Sequence, residues 1–201
     1  MSDSENKVQF NLKNAHYALM NDTGFETPVA IPGSVNLNLT PQGDTTHFYA
    51  DGVEYYTTAA NNGYSGDYEA ALFPEQMLKD VWGFELDSNG VLVENATVAP
   101  KNFALLFQID GDKTNSYYVV YNVAAQRPAI TSATNENSKT PKTQSLSITA
   151  TPLSDGKVTA RTTSATNKEV KENWFKTVYT GTPSTKEEDT ENGETGGSGT
   201  T

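Results

Sequence analysis

Residues able to carry chemistry are few in this chain. His16 and His47 are its only imidazoles, and neither stands at a spacing that pairs it with a nucleophile or a second metal ligand, so strand or strand-edge roles are expected. The run Asp110-Gly111-Asp112-Lys113-Thr114-Asn115 opens like an oxygen-ligand calcium loop. The EF-hand pattern would need glycine in place of Asn115 and glutamate in place of Tyr121, and a hairpin turn is the better reading. Asp67 with Glu69, and Glu85 with Asp87, are carboxylate pairs of the kind glycoside hydrolysis uses. Two large polar segments leave little of the chain for a substrate cleft, so solvated side chains are the expectation. There is no cysteine, hence no disulfide or thiolate metal site, and no phosphate-binding glycine loop. No catalytic, metal-binding or cofactor-binding residue is expected, and the chain is not read as an enzyme.

The richest stretch is "HFYADGVEYYTTAANNGYSGDY", residues 47–68, with Phe48, Tyr49, Tyr55, Tyr56, Tyr64 and Tyr68 set among Asp, Asn and Gly. Rings on a strand face can stack on sugars, which makes a carbohydrate-binding β-sandwich using Tyr55, Tyr56 and Tyr64 one reading. Tyrosines also dominate contacts between protein chains, where a rigid ring supplies area and its hydroxyl finds a partner. Phe48, Tyr49, Tyr55, Tyr56 and Tyr64 are then candidates for an assembly interface. Composition alone leaves both open.

The elements that must position these rings are mostly strands. Val8, Phe10 and Leu12 alternate with polar residues, as do Val35, Leu37 and Leu39, predicting two strands with one buried face each. Asp51-Gly52 between "FYA" and "VEYY" predicts a type I′ hairpin. Asn61 to Gly66 reads as a flexible connection before a strand with Tyr68, Ala70 and Leu72 on one side. "PEQMLKDVWG" is the one clear helix, opened by Pro74, closed by Gly83, and packing Met77, Leu78, Val81 and Trp82. "NFALLFQI" and "YYVVYNVAA" form a central hairpin, "TQSLSITATP" and "KVTARTT" a second, and "NWFKTVY" a closing strand. Nine to eleven strands and one helix follow: a mostly-β sandwich or barrel with a short flanking α-helix and extended loops.

The 201 residues suit one domain, expected over 1–181, followed by a flexible acidic tail over 182–201 that has no apolar side chain to bury. The net charge of −11 includes five acids and one base in that tail, leaving 20 acids and 13 bases in the body. Such a body repels nucleic acid, so any contact with DNA should be loose. The N-terminus lacks the basic flank and apolar run of a signal peptide, and no apolar run approaches a membrane span, so a soluble protein is expected. The polar run 132–143 reads as a long loop.

Read in order, "GDTTHFYADGVEYYTTAANNGYSGDYEAALFPEQMLKDVWGFELDSNGVLVEN", "NFALLFQIDGD" and "VVYNVAAQRPAI" resemble the phi13 family of phage major tail proteins. The likeness is carried by Phe48 to Asp51, Tyr55-Tyr56, Asn62 to Gly66, the helix between Pro74 and Gly83, Gly90-Val91, Phe103 to Phe107, Gly111-Asp112, Tyr121-Asn122 and Arg127-Pro128, over roughly residues 5–165. The acidic tail after Tyr179 is outside it. The resemblance implies a tail tube protein of a long non-contractile tail. Its copies would form rings, usually hexameric, stacked into a tube for genome passage and joined through extended loops and terminal arms; by length and composition, loops 41–66 and 132–143 are the candidates for contacts between subunits. Its partners would be further copies of itself, tail-end and baseplate proteins, and DNA in transit. It would reside in the virion after assembly in the bacterial cytoplasm, with no membrane and no cofactor.

Overall fold

The structure, a computed structural model, describes residues 5–132, 134 and 141–181. The acidic tail from Thr182 and most of the polar run 132–143 lie outside the described residues. The body is mostly β, with thirteen strands and two short helices among the described residues. The strands are β1 (Gln9–Asn21), β2 (Gly24–Phe25), β3 (Val29–Ala30), β4 (Ser34–Gln42), β5 (Thr45–Ala50), β6 (Val53–Ala59), β7 (Gly63–Ala70), β8 (Glu85–Leu86), β9 (Leu92–Val93), β10 (Phe103–Gly111), β11 (Ser116–Ala125), β12 (Gln144–Ala150) and β13 (Thr159–Arg161). The helices are α1 (Glu75–Trp82) and α2 (Lys168–Asn173).

The main sheet runs β2-β1-β10-β11-β12-β7-β4, with β3 added to β1 and β13 to β11, and every pairing is antiparallel. The chain passes from β3 on β1, through Pro32-Gly33, to β4 on β7, so the two ends of the sheet are brought together and it rolls around one core. Inside lie Tyr17, Tyr68, Phe103, Leu105, Phe107, Leu146 and Ile148.

β10 shows why "FALLF" reads as an unbroken apolar run. Phe103, Leu105 and Phe107 face the interior, while Ala104 and Leu106 face outward under a second cluster with Val119, Tyr121, Trp174 and Val178. A strand covered on both faces has no place for alternation. The cover is the segment expected to be a closing strand. Its first residue, Asn173, instead ends α2, and the rest is an irregular strap in which Trp174 Nε1 donates to Tyr118 O at 3.2 Å and Trp174 stacks on Tyr179. Burying those rings against the sheet outweighs the β propensity of "WFKTVY".

α1 matches expectation. Pro74 precedes it in extended conformation, Gly83 ends it at φ 67°, and Met77, Val81 and Trp82 are buried in the core. Trp82 Nε1 donates to Ala125 O at 3.2 Å. The central β10–β11 hairpin also forms.

Several strand expectations need correcting. β12 and β13 do not pair with each other: both add to the same side of β11, β13 at Tyr118–Val120 and β12 at Val123–Ala125, so the sheet forks. Val8 and Phe10 are 49% and 61% exposed because β1 is irregular between Gln9 and His16 and burial begins at Ala15. Val35 is exposed because a bulge between Ser34 and Asn36 reverses the facing before Leu37, and Leu72 lies exposed beyond the end of β7. Gly63 to Gly66 belong to β7 and not to a connection.

Candidate functional site

Residues 34–70 form one long hairpin. β4 and β7 pair within the sheet, Asn62 N donates to Gln42 O at 2.8 Å and Ala60 N to Asp44 O at 3.0 Å, and the ladder continues into β5 and β6. From Asp44 the two strands pair only with each other, forming an arm that extends about 20 Å at ~3.3 Å per residue. The loop expected over 41–66 is thus an ordered ribbon with its ends in two sheet strands. Asp51 and Gly52, at φ 54° and 76°, make the expected tight turn.

The arm is two-faced. Phe48 pairs with Tyr56 and Ala50 with Val53 on one side. On the other, His47 Nδ1 lies 3.1 Å from a carboxylate oxygen of Glu54, which also accepts from Thr57 Oγ1. Those hydrogen bonds hold the Glu54 carboxyl below its usual range, the Thr57 contact first. Tyr55 is the extra residue of a bulge between the Phe48 and Tyr49 pairs. Phe48, Tyr49, Val53, Tyr55 and Tyr56 are 58–73% exposed. A two-stranded ribbon is marginal alone in water, and the apolar face of this one has no cover among the described residues.

The aromatic stretch therefore divides three ways. Tyr68 is core, with its hydroxyl 2.8 Å from Ser34 Oγ and its ionisation pushed up by burial. Tyr64 is half-buried in the wall of a cleft. The remaining four rings are on the arm. Tyr64 and Tyr56 are eight residues of extended strand apart, roughly 25 Å of chain, so the structure does not bring Tyr55, Tyr56 and Tyr64 onto one sugar-sized platform.

The cleft opens where the sheet forks. It has a volume of about 520 Å³ and is walled by Leu37, Leu39, Tyr64, Ile109, Tyr118 and Arg161. Its walls come from β4 and β7 on one side and β10, β11 and β13 on the other, because β12 leaves β11 before Tyr118 and β13 is only three residues long.

The outer face of β12-β7-β4 was not singled out by sequence reasoning. Cross-strand rows place Thr149, Ser65 and Thr40 side by side, then Ser147, Asp67 and Asn38, then Ser145, Glu69 and Asn36. No Lys or Arg occurs on these three strands. The signal was present in "SVNLNLT" and "SLSITA", whose polar positions are nearly all Ser, Thr or Asn. Asp67 and Glu69 sit on this open face, where Ser147 Oγ donates to Asp67 at 2.8 Å and Thr143 Oγ1 to Glu69.

The other groups considered for chemistry serve turns and strand contacts. Asp87 accepts from the Asn89 and Val91 amides, both at 2.8 Å, and the Val91 amide is the main reason its carboxyl is held low. Asp110 pairs with Lys13 Nζ at 2.6 Å and Asp112 accepts from Lys7 N at 2.8 Å, so the "DGDKTN" turn fastens the N-terminal segment. His16 stacks on Phe175 with ring centroids 4.8 Å apart. Among the described residues no three His, Cys, Asp or Glu side chains converge as a metal site, and no helix is long and apolar enough to cross a membrane. No protein-family model matches the chain, and no curated protein does.

Proposed function

We propose that this chain is the major tail tube subunit of a long, non-contractile phage tail, a structural virion protein that stacks as hexameric rings into a conduit for the genome. The observation that carries it is the β5–β6 arm. An ordered ribbon with Phe48, Val53 and Tyr56 bare on one face is stable when another chain covers that face, and its rigid origin in β4 and β7 suits an assembly contact.

Two further features support the reading. The edge of β4 away from β7, and the edge of β1 away from β10 over Gln9–Lys13, carry no strand partner among the described residues, and ring closure is a standard means of satisfying such edges. The Ser/Thr/Asn face with Asp67 and Glu69 suits the tube lumen, because phosphate finds no cation there and DNA passes without adhering. The function requires no cofactor and no catalysis.

Negative-stain electron microscopy of the purified protein over a concentration series tests the proposal. Rings or tubes of uniform diameter are the expected result. A protein that stays monomeric at every concentration and salt condition overturns it.

A further inference from the structure

We propose that the apolar cleft at the fork of the sheet is the receptor for the β5–β6 arm of a second copy of this chain. The inference rests on the assembly reading above and adds which surface receives the arm.

The arm groups five of the exposed large apolar side chains, Phe48, Tyr49, Val53, Tyr55 and Tyr56, on one ribbon, and the cleft is walled mainly by Leu37, Leu39, Tyr64, Ile109 and Tyr118. The cleft cannot be filled by its own arm, because Leu39 and Tyr64 form one of its walls just before the arm departs along the same strands. The ladder runs on from β4 and β7 into the arm, Asn62 N donating to Gln42 O at 2.8 Å and Ala60 N to Asp44 O at 3.0 Å, so the ribbon does not turn back on the strands that form this wall. The arm is instead directed away, and Phe48 and Tyr56 stay 58% and 60% exposed. An arm from a second copy meets no such constraint.

The chemistry of the two surfaces agrees. The cleft's volume of about 520 Å³ lies in the range of roughly 300–1,000 Å³ that accepts a compact apolar group, here the paired rings of Phe48 and Tyr56 beside Val53. Its one charged wall residue, Arg161, is exposed and makes no ion pair among the described residues. The arm presents Asp51 at its tip, also exposed and also without an ion pair there. A carboxylate on the incoming ribbon and a guanidinium at the mouth set the orientation of docking.

The contact is also of the right strength for a polymer. Two rings bury about 150–250 Å² each, so one arm in one cleft falls below the ~1,200 Å² of a stable pair and holds only when repeated. Each copy offers one arm and one cleft on different surfaces, and where the arm enters one neighbour and the cleft takes the arm of another, the head-to-tail arrangement propagates into rings or filaments.

The absence of cysteine from the chain makes a direct test clean. Asp51→Cys protein is mixed with Arg161→Cys protein carrying a size-distinguishable tag, oxidised, and run on a non-reducing gel. The expected result is a mixed disulfide dimer at least fivefold more abundant than either same-variant dimer. In parallel, Phe48→Ser with Tyr56→Ser, and separately Arg161→Glu, change exposed side chains only, and each is expected to reduce the assembled fraction at least tenfold at an unchanged melting temperature. Wild-type rings or tubes together with equal mixed and same-variant dimers, or with undiminished assembly of these variants, overturn the cleft as receptor and leave the assembly reading standing. A wild-type chain that never assembles overturns both.

Discussion

The Tyr17 hydroxyl, at the buried middle of β1, donates a 2.7 Å hydrogen bond to Asp80 Oδ2 on α1 and so ties the helix to the sheet. Gln76 Nε2 holds the other oxygen of the same carboxylate at 2.7 Å. Removing the donor and removing the acceptor therefore have unequal effects. Tyr17→Phe leaves Asp80 with Gln76 and is expected to cost about 1 kcal/mol, whereas Asp80→Ala leaves a buried hydroxyl unpaired and is expected to cost about 1–3 kcal/mol. Urea titrations of the two variants check the order.

Burial first, and the Asp80 carboxylate second, push the ionisation of Tyr17 above its ordinary value of 10.0. Tyr121 is likewise raised to about 12, chiefly by burial. A folded-state value above the unfolded one means that the stabilisation is complete below pH 10 and is lost as pH rises through the folded-state values. Melting temperature should thus fall steeply above pH 10, and less steeply in Tyr17→Phe.

Acid acts at the other end of β1. The Lys13 ammonium, then Gln108, holds Asp110 below the usual carboxylate range, and the Lys7 amide does the same for Asp112. Depressed values give stabilisation that is present above the ordinary value of 3.8 and lost as pH falls through the folded-state values. Amide exchange of residues 7–13 should accelerate below about pH 4, after correction for intrinsic rates. In Asp110→Asn with Asp112→Asn that step should be absent.

Gly66 is expected to tolerate no side chain. A Cβ there would stand 1.8 Å from Asn38 O, a backbone atom of β4 that can yield only by moving the strand. Gly66→Ala should cost about 1–3 kcal/mol or more and loosen β4, taking Leu37 and Leu39 from the core. Ser65→Ala, one residue away, is the control expected to shift the urea midpoint little.

Asp67→Lys with Glu69→Lys places two cations on the polar face while changing stability by under ~1 kcal/mol. The variant should be retained on immobilised duplex DNA at low salt and released as salt rises, and the wild type should flow through. Equal retention of both proteins would count against a lumen role for this face.

Local signals were legible in the residues alone. Asp51-Gly52 specifies a turn through the φ values it accepts, Pro74 and Gly83 bound a helix whose apolar face needs cover, and β10 with β11 joins two apolar runs across a short polar turn. Each of these is settled within about ten residues. What failed was non-local. β13 chose β11 over its sequence neighbour β12, bulges at Val35 and in β1 changed which side chains point inward, and "NWFKTVY" became a strap because two apolar residues of β10, Ala104 and Leu106, needed a cover.

The aromatic stretch draws the same line. By itself the sequence determined that residues 47–68 hold a hairpin, that the chain is mostly β, and that its rings sit among Asp, Asn and Gly. Only the tertiary structure decided that Tyr68 is core, Tyr64 a cleft wall, and Phe48, Tyr49, Tyr55 and Tyr56 an uncovered arm. The reason is physical: periodicity tells which side of a strand a residue is on, but whether anything lies on that side depends on strands brought there from elsewhere in the chain.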